Sequence, residues 1–145
     1  MISIREATLE DFALFELHEK NIEEIKVSSG IEPGLCMAAL YEASEHKQIT
    51  LLDNQPICIS GLVDKHNLWL FFSADIKTLP LSFFKETRKE LNNLINQCNY
   101  IEGYIYSKNT FALQWSKFMN ITIEEPKEHG INGELFHYFF KRKEA

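Results

Sequence analysis

Five consecutive apolar residues stand near the middle of the sequence: Leu68-Trp69-Leu70-Phe71-Phe72. A continuous run of this kind is typical of a strand that is buried on both faces. It therefore predicts the central strand of a sheet, with further strands beside it and helices on both sides. The segments before and after the run agree with this interpretation.

The segments just before the run predict a hairpin. Apolar residues at 49, 51 and 52 lead into the turn cluster Asp53-Asn54-Gln55-Pro56, and a second apolar segment follows at 57–63. Two such segments joined by turn-forming residues are typical of paired antiparallel strands. Gly61 lies inside the second segment, where it predicts a bulge or a close approach of another part of the chain.

Apolar periodicity assigns the remaining segments to helices and strands. Thr8 is the predicted N-cap of the first helix, and Ser28-Ser29-Gly30 breaks it. By residue number, the predicted elements are a strand at 2–7, a helix from 8 to 20 or 26, a helix from 33 to 46, the hairpin at 49–63, the strand at 68–72, a helix of about five turns from 80, a strand at 100–106, a helix at 110–119, and strands at 121–123 and 134–140. This order, β-α-α-β-β-β-α-β-α-β-β, indicates an α/β fold built on a mixed sheet. Only the tail at 141–145 is expected to fray.

Composition places the chain among folded proteins. Its 145 residues are 45% hydrophobic, with 6 Gly and 4 Pro, which favours a single domain spanning residues 1–145. Lys and Arg total 15 against 21 Asp and Glu, and the net charge of −6 argues against nucleic acid as a partner. No apolar run approaches the roughly 20 residues that span a bilayer, and the N-terminus lacks the pattern of a signal peptide. The expected location is the cytoplasm.

The cysteines and histidines show no metal-binding pattern. Cys36, Cys58 and Cys98 are widely separated, lie beside apolar residues and include no Cys-x-x-Cys pair. The 5 histidines are scattered without the spacing of metal ligands. We therefore expect buried free thiols and no structural metal.

Two segments resemble the GNAT family of acyl-CoA-dependent N-acetyltransferases. The segments are the opening Ile4-Arg5-Glu6-Ala7-Thr8 with Asp11, similar to the pattern I-R-x-A-x-x-x-D, and Asn109-Thr110-Phe111-Ala112-Leu113 with Trp115 and Phe118, similar to the late helix N-x-x-A-x-x-x-Y-x-x-x-G-F. The order of elements also agrees with this family. The resemblance implies a sheet splayed between two central parallel strands, with acetyl-CoA as cofactor. It also implies transfer of an acetyl group to an amine of a protein or a small molecule.

Short segments along most of the chain carry a narrower resemblance. They are Ser28-Ser29-Gly30 with Pro33, Gln55-Pro56-Ile57-Cys58, Trp69-Leu70, Tyr104 with Asn109-Thr110 and Trp115, Glu125-Pro126, and Gly130, Gly133 and Phe136. In order and approximate spacing they are similar to the internal virion protein A family of T7-like podophages, a GNAT-like group. This resemblance implies a phage protein in the host cytoplasm or the virion, with a phage or host protein as partner. It adds an alternative function, that of an inactive virion component or host-factor binding module.

The GNAT resemblance also implies which residues bind the cofactor. They are Leu70, Phe71, Phe72, Ser73, Lys77 and Asn109. The thioester arm would lie along the central strand, and the pyrophosphate would contact the loop that follows it. Asn109 would donate a hydrogen bond to the arm, or, in the alternative interpretation, would only cap the helix that it precedes.

The loop at 73–80 departs from the family pattern. GNAT proteins hold the pyrophosphate with a glycine-rich turn, because free backbone N–H groups at a helix N-terminus favour an anion. This loop contains no Gly, Pro80 removes one donor, and Asp75 adds a negative charge. Ser73, Lys77 and Thr78 are the groups in it that favour phosphate.

The late helix departs from the family at two positions. Ser116 stands where the family has the tyrosine that protonates the leaving thiolate, so it is the implied catalytic residue, although a serine hydroxyl is a weaker acid than a phenol. Asn120 replaces the glycine that ends the helix, and it can adopt the same left-handed conformation. Further candidates are Tyr104, Tyr106 and Tyr138 as acids, and Glu32, Asp64, His66 and Glu102 as general bases.

Overall fold

A computed structural model describes residues 1–144. Its elements are β1 (Ile2–Glu6), α1 (Leu9–Leu14), α2 (Glu19–Ser28), α3 (Pro33–Ala43), β2 (Ser44–Leu52), β3 (Gln55–Val63), β4 (Asn67–Phe72), α4 (Leu81–Cys98), β5 (Tyr100–Tyr106), α5 (Thr110–Phe118), β6 (Thr122–Ile123), β7 (Lys127–His129) and β8 (Glu134–Arg142). Within residues 1–144 the strands form one eight-stranded mixed sheet in the order β1-β2-β3-β4-β5-β8-β6, and β7 pairs with the beginning of β8. The predicted α/β class with a mixed sheet is confirmed, with one helix and one short strand more than expected.

The first predicted helix is in fact two helices. Thr8 caps α1 as expected, because its Oγ1 accepts from the Asp11 N–H (3.2 Å) while Asp11 Oδ2 accepts from the Thr8 N–H (2.8 Å). α1 ends at Leu14, and His18 caps α2 by accepting from the Lys20 N–H at Nδ1 (3.1 Å). The prediction of one continuous helix is wrong because the residues between α1 and α2 pair with the end of β4. That pairing joins distant parts of the chain and leaves no trace in local periodicity.

The second predicted helix, α3, is shorter than expected. It ends at Ala43, and His46, its predicted end, lies in β2 instead. The chain leaves the helix at this point because residues from Ser44 onward pair with the end of β3. β2 and β3 form the predicted hairpin.

Gly61 in β3 lies where two other parts of the chain approach the backbone. A Cβ atom on this residue would lie 2.5 Å from the carbonyl oxygen of His46 and 2.8 Å from the ring of Trp69. The predicted close approach is therefore confirmed.

The C-terminal part of the chain is more regular than expected. α4, β5 and α5 agree with the predicted segments, and β7 is a short strand that the sequence did not reveal. β8 continues through Arg142, so the prediction of a frayed tail is wrong for Lys141 and Arg142. Lys141 Nζ donates to the Met119 carbonyl (2.6 Å), and the Lys143 N–H donates to the Asn99 carbonyl (2.7 Å), which hold this end of the strand in place.

The central strand β4 contributes to the two larger hydrophobic cores. Phe71 packs with Phe12, Ile25 and Met37 of the first three helices, whereas Phe72 belongs to the larger core beneath α4 and α5. Successive side chains of a strand point to opposite faces, so a continuous apolar run is what a strand covered on both faces requires. None of the helices in residues 1–144 combines the length and the apolar character needed to cross a membrane.

The sheet opens between its two central parallel strands. β4 and β5 form one register pair, Asn67 with Glu102, and the Glu102 N–H donates to the His66 carbonyl (2.9 Å). Beyond that pair the two strands separate toward their C-terminal ends. The predicted splayed sheet is thus present, and residues of α2 and α5 lie at the opening.

Candidate active site

The opening between β4 and β5 contains a cavity of about 80 Å³. Its lining comes from β4, β5, α2, α5 and β8, and consists of Glu24, Leu68, Trp69, Leu70, Phe71, Tyr104, Ile105, Ala112, Trp115, Ser116 and Phe139. The structure therefore brings together four of the residues that the sequence singled out for this site, Leu70, Phe71, Ser116 and Tyr104. We call this cavity the β4–β5 gap.

One edge of β4 faces the β4–β5 gap and is partly paired with the chain's own residues. The Phe72 N–H donates to Asn21 Oδ1 (2.8 Å), and the Phe72 carbonyl accepts from the His18 N–H (2.8 Å). Because hydrogen-bonding groups alternate along a strand, those of Leu70 point toward the same edge, whereas the Ser73 N–H donates to Ile57 of β3 (3.0 Å). Leu70 is thus the position from which this edge can pair with an extended ligand.

Glu24 is the residue at this site that sequence reasoning missed. Its Oε2 accepts from the Tyr106 N–H (2.9 Å) and from Asn109 Nδ2 (3.4 Å), and its Oε1 receives a longer contact from Asn21 (3.5 Å). Burial raises the pKa of Glu24 to about 7, against the lowering effect of these hydrogen bonds. In the sequence, Glu24 is one acid in an acid-rich helix, and only its spacing from Asn21 hints that both side chains share a face.

Asn109 is a helix cap and also belongs to the Glu24 network. Its Oδ1 accepts from the Ala112 N–H (3.2 Å), so the capping interpretation is confirmed. Its Nδ2 donates to Glu24, and its side chain is buried. The amide that would donate to a thioester arm therefore has a partner within the protein.

Ser116 faces the β4–β5 gap from α5 but is bonded to its own helix. Its Oγ donates to the Ala112 carbonyl (2.8 Å), and the residue is only 1% exposed. Asn120 adopts the expected left-handed conformation, with φ of 58°, and the helix closes with the Ile121 N–H on the Ser116 carbonyl (3.1 Å). The left-handed turn that ends this helix is therefore formed without glycine.

The loop at 73–80 leads into the N-terminus of α4, and none of its residues lines the β4–β5 gap. Lys77 and Asp75 are both exposed, and Ser73 is half-buried at the end of β4. No side chain caps α4 at Pro80, so the backbone N–H groups of its first turn are available to an anion. Lys77 and this first turn are the groups present that suit a phosphate.

The three candidate tyrosines have different environments. Tyr104 is 49% exposed and lines the β4–β5 gap. Tyr106 is buried and donates to Glu23 (3.1 Å), whereas Tyr138 donates to Glu102 (2.6 Å), and this hydrogen bond raises the pKa of Tyr138 to about 12. A phenol with a raised pKa gives up its proton less readily, so Tyr104 is the better placed acid.

The four candidate bases are not gathered at the gap. Glu32 caps α3 by accepting from the Gly34 and Leu35 N–H groups (3.0 Å each). Asp64 lies exposed in the turn between β3 and β4, and the ring of His66 stacks on Tyr100 (3.7 Å between centroids). Glu102 accepts from Tyr138. The β4–β5 gap is lined by none of these four and contains Glu24 instead.

Comparison with known proteins finds similar folds among solved acetyltransferases. No protein-family model matches the sequence, and no curated protein matches it. Among solved structures, a ribosomal-protein-S5-alanine acetyltransferase from Vibrio fischeri is 9% identical with a TM-score of 0.69, covering 99% of this chain and 94% of that one. A spermidine N-acetyltransferase from Vibrio cholerae, solved with CoA and spermine, is 11% identical with a TM-score of 0.67, covering 98% and 95%.

A GNAT-family acetyltransferase from Bacillus cereus is 11% identical with a TM-score of 0.65, covering 100% of this chain and 99% of that one. These identities are too low to transfer an activity, but the coverage of both chains is nearly complete. The chain has the fold of the GNAT family of acetyltransferases.

Proposed function

We propose that this chain is an acetyl-CoA-dependent N-acetyltransferase that acts on an amine of a protein or a small molecule. The observation that carries the proposal is the β4–β5 gap, where the edge of β4 at Leu70, the hydroxyl of Ser116 and the carboxylate of Glu24 surround one cavity. The fold shared with GNAT-family acetyltransferases supports the same reaction class.

The residues present fit the cofactor at two places. Leu70 offers a strand edge to an extended, amide-containing arm at the point where β5 has moved away. Lys77 and the uncapped first turn of α4 offer an ammonium and backbone N–H groups to a pyrophosphate. When bound, acetyl-CoA supplies an acetyl group activated as a thioester.

Glu24 is the group suited to accept a proton from the acceptor amine. Its Oε1 receives only the long contact from Asn21, so that oxygen can still accept a hydrogen bond from a substrate. With a pKa of about 7, the carboxylate is ionised in an appreciable fraction of molecules at neutral pH and is still a useful base. Ser116 would donate to the leaving sulfur only after releasing the Ala112 carbonyl.

The test is thiol release from acetyl-CoA in the presence of a lysine-containing peptide, a peptide with a free N-terminus, or spermidine. We expect Glu24→Gln to lower kcat by about 10²–10⁴-fold and to abolish the rise in rate through neutral pH. Glu23→Gln is the matched control, because it lies on the same helix and can still accept from Tyr106. Absence of thiol release with every amine, together with no binding heat for CoA at about 1 mM, would overturn the proposal.

A second candidate is a GNAT-fold protein without transferase activity that serves as a phage virion component or host-factor binding module. It is favoured by the pairing of both Phe72 backbone groups with His18 and Asn21, which occupies part of the edge that an arm would use. The glycine-free loop at 73–80 also favours this second candidate. The phage context rests on the sequence resemblance.

Asn21→Ala separates the two candidates. This substitution removes the acceptor of the Phe72 N–H. If the hydrogen bond between Phe72 and Asn21 weakens CoA binding in a transferase, the variant would bind CoA more tightly. A protein without transferase activity would still bind none. Peptide mass spectrometry of purified phage particles from a host that expresses the chain tests the virion assignment. Its absence from such particles would count against that assignment.

A further inference from the structure

An apolar groove of about 320 Å³ lies among the first three helices and is open to solvent. Its lining comes from α1, α2, α3 and the connector between α1 and α2, and each of the ten lining residues is apolar. We call it the α1–α3 groove. The lining includes exposed side chains on the walls and buried ones on the floor, namely Leu9, Ala13, Ile22 and Ala38 above Phe12 and Met37.

The α1–α3 groove is a contact surface and is separate from the candidate active site. Its lining has no titratable or nucleophilic side chain, and it shares no residue with the lining of the β4–β5 gap. A concave apolar surface with exposed walls is typical of a site that binds part of another protein.

The helices around the groove carry the whole formal net charge of the chain. Residues 9–43, from the beginning of α1 to the end of α3, contain eight Asp and Glu against two Lys. The rest of the chain contains 13 residues of each sign. The net charge of −6 is therefore concentrated on the layer that contains the groove.

Some of these acids border the groove. Glu16 lies in the connector that lines it, Glu19 is three residues before Ile22 on α2, and Glu42 is four residues after Ala38 on α3. Residues three or four apart share one face of a helix. All three acids are exposed, and within residues 1–144 none of them forms an ion pair. The apolar lining is thus bordered by uncompensated negative charge.

The backbone along the groove is already paired, which favours a helical occupant. Residues of the three helices bond within their helices, the Gly34 N–H donates to Glu32 (3.0 Å), and the Phe15 N–H donates to the Asp11 carbonyl (3.0 Å). An extended peptide buried here would leave its own N–H and C=O groups unpaired, whereas a helix pairs them internally.

Charge excludes two other occupants of an apolar groove. A second copy of this chain would bring one acidic layer against another, and like charges oppose that contact. An anionic lipid surface would be repelled for the same reason. A partner with positive charge around its apolar side chains complements the layer instead.

We propose that the α1–α3 groove binds an amphipathic, cationic helix of a partner protein. Apolar side chains on one face of that helix would enter the groove, and flanking Lys or Arg residues would lie near Glu16, Glu19 and Glu42. The proposal does not rest on acetyl transfer, because no group of the groove takes part in the chemistry proposed for the β4–β5 gap.

The experiment measures the fluorescence anisotropy of labelled model peptides as the whole chain is added. The probe is a helix of about 18 residues made of Leu and Lys, with the leucines on one face. One control peptide has the same composition with the leucines distributed around the helix, and another has Glu in place of each Lys. At about 0.15 M salt we expect the probe to bind and both controls to bind at least about tenfold more weakly.

Two substitutions on α3 form a matched pair. Ala38 and Ala39 are both exposed, but only Ala38 lines the groove. Each change to Lys adds one positive charge. Ala38→Lys should weaken binding of the probe at least about tenfold, because it places an ammonium among the apolar contacts, whereas Ala39→Lys should change it by less than about threefold.

A second pair tests the wall of the groove without changing charge. Leu9 and Leu81 are the first residues of α1 and α4 and are 59% and 57% exposed. Leu9→Ser should weaken binding at least about threefold, because it removes an apolar wall, and Leu81→Ser should leave it unchanged. Circular dichroism checks that each variant is folded.

The proposal is overturned if the Leu–Lys helix does not bind at about 1 mM, if the rearranged peptide binds equally well, or if Ala38→Lys and Ala39→Lys bind alike. Sedimentation of the unaltered chain tests the second copy as occupant. A monomer supports the proposal, whereas a dimer that only Ala38→Lys dissociates would overturn it. No sample contains acetyl-CoA, so failure of acetyl transfer leaves these outcomes unaffected.

Discussion

At the scale of single residues, Glu24 makes the stability of the fold depend on pH. Its pKa is about 7 in the folded chain and close to the ordinary 4.5 when the chain is unfolded. Between these values the folded chain holds a proton that the unfolded chain has lost, so stability falls as pH rises through this range. The loss is complete about one pH unit above the folded pKa, where the carboxylate is charged in both states.

The prediction is that Glu24→Gln removes this part of the pH dependence. In urea unfolding at about pH 5, 6, 7 and 8, the variant should gain stability relative to the unaltered chain as pH rises. Glu42→Gln, at an exposed position, is the control, and its stability should change with pH as that of the unaltered chain does. A constant difference between Glu24→Gln and the unaltered chain across the series would contradict the assignment.

Two substitutions at Asn109 separate its role as the cap of α5 from its contact with Glu24. Asn109→Ser keeps a side-chain oxygen that can cap α5, whereas Asn109→Ala does not, and both lose the amide donor to Glu24. Asn109→Ala should therefore be less stable than Asn109→Ser by about 1 kcal/mol, measured as the difference in free energy of unfolding. Equal stabilities would show that capping at this position is unimportant.

At the scale of elements, β3 requires glycine at one position because three strands converge there. Gly61→Ala would place a Cβ 2.5 Å from the His46 carbonyl oxygen, a backbone atom that cannot move without disturbing β2. We expect a loss of about 1–3 kcal/mol in the free energy of unfolding. Gly34→Ala is the comparison: the nearest atom, at 3.0 Å, is Oε2 of the Glu32 side chain that caps α3, so its expected loss is at most that of one cap, about 1 kcal/mol, and the better helix propensity of alanine opposes that loss. A Gly61→Ala chain as stable as Gly34→Ala would contradict the packing.

The helices differ in how far the sequence could predict them. α4 and α5 follow from local spacing, because their apolar positions recur every three or four residues. The break between α1 and α2 could not be predicted in this way. The apolar stripe continues across it, and the break is stabilised by Leu17 pairing with Ser73, far along the chain.

At the scale of the whole molecule, the two halves of the sheet share one core although they meet at one register pair. Ile57 and Phe72 from one half pack with Ile101 and Phe139 from the other beneath α4. Since this core belongs to both halves, neither should unfold before the other. The two tryptophans report on the two halves separately. Trp69 lies in β4, in the first half of the sheet, and Trp115 lies in α5, which follows β5 of the second half.

The prediction is one cooperative transition. In Trp115→Phe the fluorescence of Trp69, and in Trp69→Phe that of Trp115, should each give the same urea midpoint as far-UV circular dichroism of the same variant. The two variants need not share a midpoint, because each loses a different indole hydrogen bond. Separate midpoints for fluorescence and circular dichroism within one variant would show that the halves unfold independently.

The sequence by itself determined what depends on neighbours in the chain. The central strand at 68–72, the cap at Thr8, the left-handed turn at Asn120 and the long helix α4 all follow from residue types at short spacing. The element order that these features establish was sufficient to indicate the fold class. The same short-range patterns marked the departures from the GNAT motifs, at Ser116 and in the glycine-free loop.

Only the tertiary structure decided what occupies the β4–β5 gap. Phe72 and Asn21 are 51 residues apart in sequence, and Tyr106 and Glu24 are 82 apart, so no local pattern links them. The raised pKa of Glu24 arises from burial that exists only when α2 lies over the splayed strands. Local sequence sets the elements, whereas the environment of a polar group depends on which distant elements cover it.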